Sequence, residues 1–165
     1  MKHHRVRVFA AICLILGVGS AGSAQNQPPS EKKVIMTHHA TGSFDVKLTP
    51  QEDTSKETAI GRMTIDKQFH GDLEGTSKGQ MLAFSTDVKG SAGYVAMERV
   101  TGKLQGRSGS FVLQHSATMN RGVPQLSIAV VPDSGTGELV GLTGTLMITI
   151  SAGKHSYDFD YTLTE

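Results

Sequence analysis

The chain has 165 residues, with 16 Lys and Arg against 15 Asp and Glu, one cysteine and no tryptophan. A length of this kind supports one domain with one core. The near balance of charge, the lack of a basic cluster and the few aromatics speak against nucleic-acid binding.

The N-terminus reads as a secretory signal peptide. Lys2, Arg5 and Arg7 form a positive start, Val8 to Val18 is apolar, and small residues lead to Ala24 before the polar Gln25. Cleavage is expected near Ala24, which places the mature protein in the periplasm or outside the cell. The apolar run is shorter than the roughly 20 residues of a membrane span, so no span is expected in the mature chain. Cys13 lies within this segment, and Ala10-Ala11-Ile12 before it does not resemble a lipoprotein acylation box. The mature chain would then carry no cysteine, hence no disulfide, thiol nucleophile or cysteine zinc site. Removing Lys2, Arg5 and Arg7 leaves 13 basic residues against 15 acidic.

Residues 25–33 (QNQPPSEKK) form a polar leader, and a single domain is expected over 34–165. Val34–Ala40 and Ser43–Leu48 suggest a strand or strand pair, followed by a polar connection at Pro50–Lys56. Only Asp53–Ala59 has the character of a helical turn, and it is too polar for a core helix. Met63, Ile65 and Phe69 then alternate with Thr64, Asp66, Gln68 and His70, the period of a strand. Further strands are predicted at Asp72–Ser77, Met81–Val88, Tyr94–Leu104, Ser110–Met119, Gln125–Val131, Glu138–Ser151 and His155–Leu163. Fourteen glycines lie between Gly71 and Gly153, at a spacing suited to hairpin turns and bulges. Consecutive strands on short turns predict an all-β fold, an antiparallel up-and-down β-barrel of about eight strands. A β-sandwich is the alternative.

Two motif look-alikes fall on this pattern. Gly75-Thr76-Ser77-Lys78-Gly79 matches the G-x-S-x-G of hydrolase nucleophile elbows, but no helix follows, so the residues read as a hairpin between strands. Gly135 to Gly141 approaches a dinucleotide fingerprint with a displaced third glycine and no helix, and reads as a turn. Five histidines remain after residue 24. His38 and His39 would point to opposite faces of a strand, and His70 and His155 read as solvated loop-edge residues. No pair has local metal-ligand spacing, and no metal or cofactor is expected.

The site candidates are polar intrusions on apolar faces. Phe111, Leu113, His115, Ala117 and Met119 share one face, as do Tyr94, Ala96, Glu98 and Val100. Glu138 opens an apolar strand that continues through Val140 and Leu142. In a closed barrel these faces can converge, where Glu98 and His115 could act as base and acid or grip a polar ligand group. The alternative places Glu98 at the surface with Arg99 or Arg62, and His115 as a hydrogen-bonded core residue. Tyr94 follows Gly90-Ser91-Ala92-Gly93, at the position of a barrel mouth, or is a packing aromatic at a strand start. The candidate ligand-binding residues are therefore Tyr94, Glu98, His115 and Glu138, and the catalytic candidates are Glu98 and His115.

Several long segments resemble the bacterial domain-of-unknown-function family three-two-two-four: ATGSFDVKL, GDLEGTSKGQML, GSAGYVAMERVTGKLQGRSGSFVLQH, VVPDSGTGELVGLTG and HSYDFDYTL. The resemblance covers nearly the whole mature chain. It implies a calycin-like barrel similar to allene oxide cyclase, and it carries no activity with it. Three functions remain open: a barrel binding a small, mostly apolar molecule in its interior, an isomerase or cyclase using Glu98 and His115, or a structural barrel with a filled core. Apolar residues on both faces near Val95 and Met97 also leave a homo-oligomer open.

Overall fold

Apolar/polar alternation is carried through eight strands in a computed structural model that describes residues 36–52 and 59–163. The strands are β1 (Thr37–Gln51), β2 (Gly61–Gly71), β3 (Leu73–Ser85), β4 (Ala92–Leu104), β5 (Arg107–Asn120), β6 (Val123–Val130), β7 (Thr143–Ser151) and β8 (Lys154–Thr162). They pair antiparallel in chain order, and β1 pairs with β8 to give a closed up-and-down barrel. The sandwich alternative is not adopted. The signal segment, the leader and most of the Asp53–Ala59 stretch lie outside the described residues.

Three hairpins turn on two-residue loops in which both residues have positive φ: Gln105-Gly106, Arg121-Gly122 and Ala152-Gly153. This is the backbone of a turn whose twist matches that of the flanking strands. Other glycines serve a different purpose. Gly75-Thr76-Ser77-Lys78-Gly79 is no hairpin, because β3 runs straight through it. A Cβ on Gly79 would meet the Met97 carbonyl at 2.6 Å, and one on Gly75 would stand 2.8 Å from Gly102 Cα. Both glycines permit close approach of β4 rather than a change of direction. Of the expected strand or strand pair at the start of the domain, the structure adopts the single strand β1.

The core fills one end of the barrel. Leu73, Leu104, Phe111, Phe159 and Tyr161 are buried there with Leu139 and Leu142. The last two come from the segment between β6 and β7, which makes a 3-10 turn at Gly137–Leu139 and closes the barrel end. The expected strand over Glu138–Ser151 therefore begins only at Thr143. Its first residues instead form a plug, held by the Thr136 amide on the Ser110 carbonyl at 2.8 Å. Tyr161 Oη donates to Gln105 Oε1 at 2.7 Å, and the Gln105 side chain donates to the His39 carbonyl, bracing the same end.

The other end differs. Ala83, Tyr94, Ala117 and Leu126 lie in one cross-strand row on the inward face, and the next row outward holds Ser85, Ala92, Met119 and Pro124. Tyr94, Ala83 and Ala117 are half-buried, while Leu126 and Met119 are exposed although they point inward. Ile150, on the inward face of β7, is 66% exposed. This end is an open apolar mouth.

Candidate functional site

Below the mouth, four polar side chains meet inside the barrel. β2 contributes Lys67, β3 Ser77, β4 Glu98 and β5 His115, each on the inward face with the core aliphatics. All four are buried, Glu98 completely. Lys67 Nζ donates to Glu98 Oε2 at 2.8 Å, and Ser77 Oγ donates to Glu98 Oε1. His115 Nε2 lies 3.1 Å from Glu98 Oε2, at ion-pair distance but off the line of a good hydrogen bond, and it has no hydrogen-bond partner.

Register explains the convergence. Lys67 faces Ser77 across β2–β3, and Glu98 faces Gly79 across β3–β4. A methyl group at Gly79 would stand 3.1 Å from Glu98 Cβ, so the missing side chain leaves the room in which the carboxylate reaches β2. Aromatic faces complete the cation's surroundings. Lys67 Nζ stands 4.7 Å from the Phe44 ring centroid and 5.6 Å from that of Phe69.

Burial pushes the Glu98 carboxyl upward, but His115, Lys67 and Ser77 together outweigh it and hold it at about 2. The carboxylate is ionised at neutral pH. Its charge extends toward the mouth: Tyr94, one inward row nearer to it than Ala96, has its phenol pushed up by burial and then by Glu98. The mouth itself holds a recess of about 280 Å³ lined in part by Ala83, Tyr94, Ala117, Met119, Leu126 and Ile150. Residues of β3 and β7, on opposite sides of the barrel, share this lining, so the recess lies across the lumen.

The structure brings together two of the four sequence candidates and places the others apart. Glu98 and His115 are neighbours, and the surface pairing of Glu98 with Arg99 or Arg62 does not occur, because Glu98 shares the inward parity of Ala96 and Val100. Tyr94 stands above them at the mouth. Glu138 does not face the interior. It sits in the 3-10 turn, exposed, and its Oε2 accepts the Ser108 amide at 2.8 Å. His155 lies at the start of β8, next to the Ala152-Gly153 turn, with its ring 5.1 Å from Phe44. His38 and His39 do take opposite faces: His38 stacks on Tyr161 at 5.2 Å, and His39 pairs outside with Asp160 at 2.7 Å. Among the described residues, no group of three or more His, Cys, Asp or Glu could hold a metal ion. Lys67 and Ser77 carry no motif. Lys67 does, however, occupy the odd-numbered apolar face Met63, Ile65, Phe69, which was the available signal.

A blind-ended, up-and-down antiparallel β-barrel with a buried Lys–Glu–His–Ser cluster is the class of protein defined by this fold and site. The family described as "protein of unknown function (DUF3224)" matches residues 40–161, and the chain belongs to it. A solved relative is the crystal structure, at 1.84 Å, of a DUF3224-family protein of unknown function from Shewanella oneidensis MR-1. It is 50% identical, superposes with a TM-score of 0.74, and the match covers 79% of this chain and all of that one. No curated protein matches the chain.

Proposed function

We propose that this is an exported barrel that binds a small, mostly apolar molecule through its open mouth. The observation that carries the reading is the contrast between the two ends. Inward-facing residues are sealed at the plugged end, yet Leu126, Met119 and Ile150 point inward at the mouth and stay exposed. Apolar side chains that line a recess and meet water are the usual wall of a small-molecule site. Export rests on the sequence of residues 1–24, with the periplasm or the exterior as destination.

The buried cluster supports binding over catalysis. A general base works best with a pKa near the ambient pH, and a carboxylate held at about 2 is a weak proton acceptor. Glu98 is also sealed from solvent on all sides. Its role in this reading is to fix a polar floor beneath an apolar wall, with His115 and Tyr94 as the groups nearest a bound polar atom.

A thermal-shift screen of the mature chain against small apolar compounds, with and without one polar group, tests the reading. A compound present at 100 times its Kd adds about 2.7 kcal/mol of stability. Hits should lose their shift in Leu126→Arg, which places a charge in the mouth without touching the cluster. If no compound shifts the melting point, or if hits bind Leu126→Arg equally well, the mouth is not a binding site.

A further inference from the structure

The two ends of the barrel also differ in the charge and polarity they present to their surroundings. β1–β2, β3–β4, β5–β6 and β7–β8 are joined at the mouth, and β2–β3, β4–β5 and β6–β7 at the plugged end. The plugged end is acidic. Asp72, Glu74, Asp133, Glu138, Asp158 and Asp160 lie on or near its connections, against Lys103 and Arg107, with His39 between the last two carboxylates. Exposed apolar side chains are distributed the opposite way. Phe84, Val88, Met119, Val123, Leu126 and Ile150 stand at the mouth, between 41% and 66% exposed. At the plugged end only Met36 and Val140 compare among the described residues.

Two of the mouth connections are locked into one platform. The Gly122 amide donates to the Gly90 carbonyl at 2.9 Å, and the Arg121 amide donates to Ser91 Oγ at 3.1 Å. The approach is close, since a Cβ on Gly90 would stand 2.8 Å from the Gly122 nitrogen. Val88 and Lys89 of one connection therefore lie beside Arg121 and Val123 of the other. Lys154 follows the β7–β8 turn, and Asp87 is the one acid of these three connections. The rim's other acids, Glu52, Asp53 and Glu57 with Lys56, belong to the β1–β2 connection.

We infer that this platform seats the barrel, mouth down, on an anionic phospholipid bilayer. Val88 and Val123 enter the headgroup boundary, while Lys89 and Arg121 lie against headgroup phosphates. Apolar side chains interleaved with cations are what such a surface attracts, through buried apolar area and through charge. The acidic plugged end is repelled by the same surface, so the charge pattern admits one orientation. A second copy meeting this one mouth to mouth would bring the same cations together. The docking does not depend on what the lumen holds.

The test uses the chain from Gln25 onward, so that the apolar segment before it contributes no membrane affinity of its own. A barrel of that extent folds, because the solved relative matches 79% of this chain over its whole length. The protein should sediment with vesicles of phosphatidylcholine containing phosphatidylglycerol, and far less with phosphatidylcholine alone. Added salt should release it. Lys89→Glu combined with Arg121→Asn, a residue that accepts the positive φ there, should weaken partitioning more than about tenfold. Val88→Ser with Val123→Ser should weaken it as well, and Lys103→Glu at the plugged end should not. Should the double variants misfold, a polarity-sensitive dye on a single cysteine reads the same contact. Its emission should shift to shorter wavelength on the mixed vesicles at Val88→Cys and stay unchanged at Val140→Cys. A chain that does not sediment with the mixed vesicles overturns the inference. So does equal weakening by Lys103→Glu and Lys89→Glu. Self-association without lipid that Val88→Ser and Val123→Ser abolish would assign the platform to a second copy and overturn it too.

Discussion

Lys67 and Glu98 meet inside the barrel from strands that are not neighbours, their charged atoms 2.8 Å apart across β3. The pair is shut away from water, so each charge depends on the other for what solvent would have given it. Lys67→Met removes the cation and leaves a buried carboxylate with only Ser77 and His115 beside it. The expected loss is about 3–5 kcal/mol, measured by urea unfolding at neutral pH. Lys67→Met combined with Glu98→Leu should recover most of that loss. A double variant as unstable as the single one would show that the charges were not the cause.

The same pair sets a dependence on acid. Glu98 has a folded pKa of about 2 against an ordinary value of 4.5. A depressed carboxyl stabilises the fold above the unfolded value, and this stabilisation is lost as pH falls from about 4.5 toward 2. The urea midpoint should therefore drop through that window more steeply in the wild type than in Glu98→Gln, which has no proton to take up there. Parallel curves would remove Glu98 as the source.

Gly79 faces Glu98 across β3–β4 and has no room for a methyl group. Gly79→Ala places a Cβ against the Met97 carbonyl and the Glu98 side chain, at an expected cost of about 1–3 kcal/mol. Gly61→Ala, in the neighbouring strand, meets only the Ala83 carbonyl at 3.6 Å and should change stability little. Equal effects in the two thermal melts would contradict the close approach of β3 and β4.

Tyr157 ties the β2–β3 turn to β8. Its hydroxyl accepts the Leu73 amide at 2.8 Å and donates to the His70 carbonyl at 3.3 Å. Tyr157→Phe keeps the ring packing against Phe69 and strands the buried Leu73 amide. A loss of about 1–3 kcal/mol is expected, together with faster hydrogen exchange at Leu73. Unchanged exchange would mean that another acceptor replaces the hydroxyl.

The fold was legible in the sequence because a strand period of two is visible wherever one face is buried and the other wet. Glu98 and His115 stood out for the same reason, as single polar residues in apolar rows. Lys67 was on the page in the same way, but the alternation around it was read through Met63, Ile65 and Phe69 alone. Its long aliphatic stem lets a cation occupy a core position, so residue type hides what parity reveals. The glycines misled in the opposite sense. Gly75 and Gly79 have the spacing of a turn, yet their purpose is set by what β4 presses against them, which no local pattern records. Glu138 failed for a third reason: apolar residues after it meant burial, but burial in a plug and not in a strand.

Under the proposed binding role, the 3-10 plug also bears on kinetics. If the lumen binds a small molecule as proposed, Leu139 and Leu142 sealing one end leave the mouth as its way in and out among the described residues. A substitution that narrows the rim slows association and dissociation by the same factor, and leaves the equilibrium constant where it was. One at the polar floor changes the residence time alone. Rate measurements could thus separate gatekeeping residues from gripping ones.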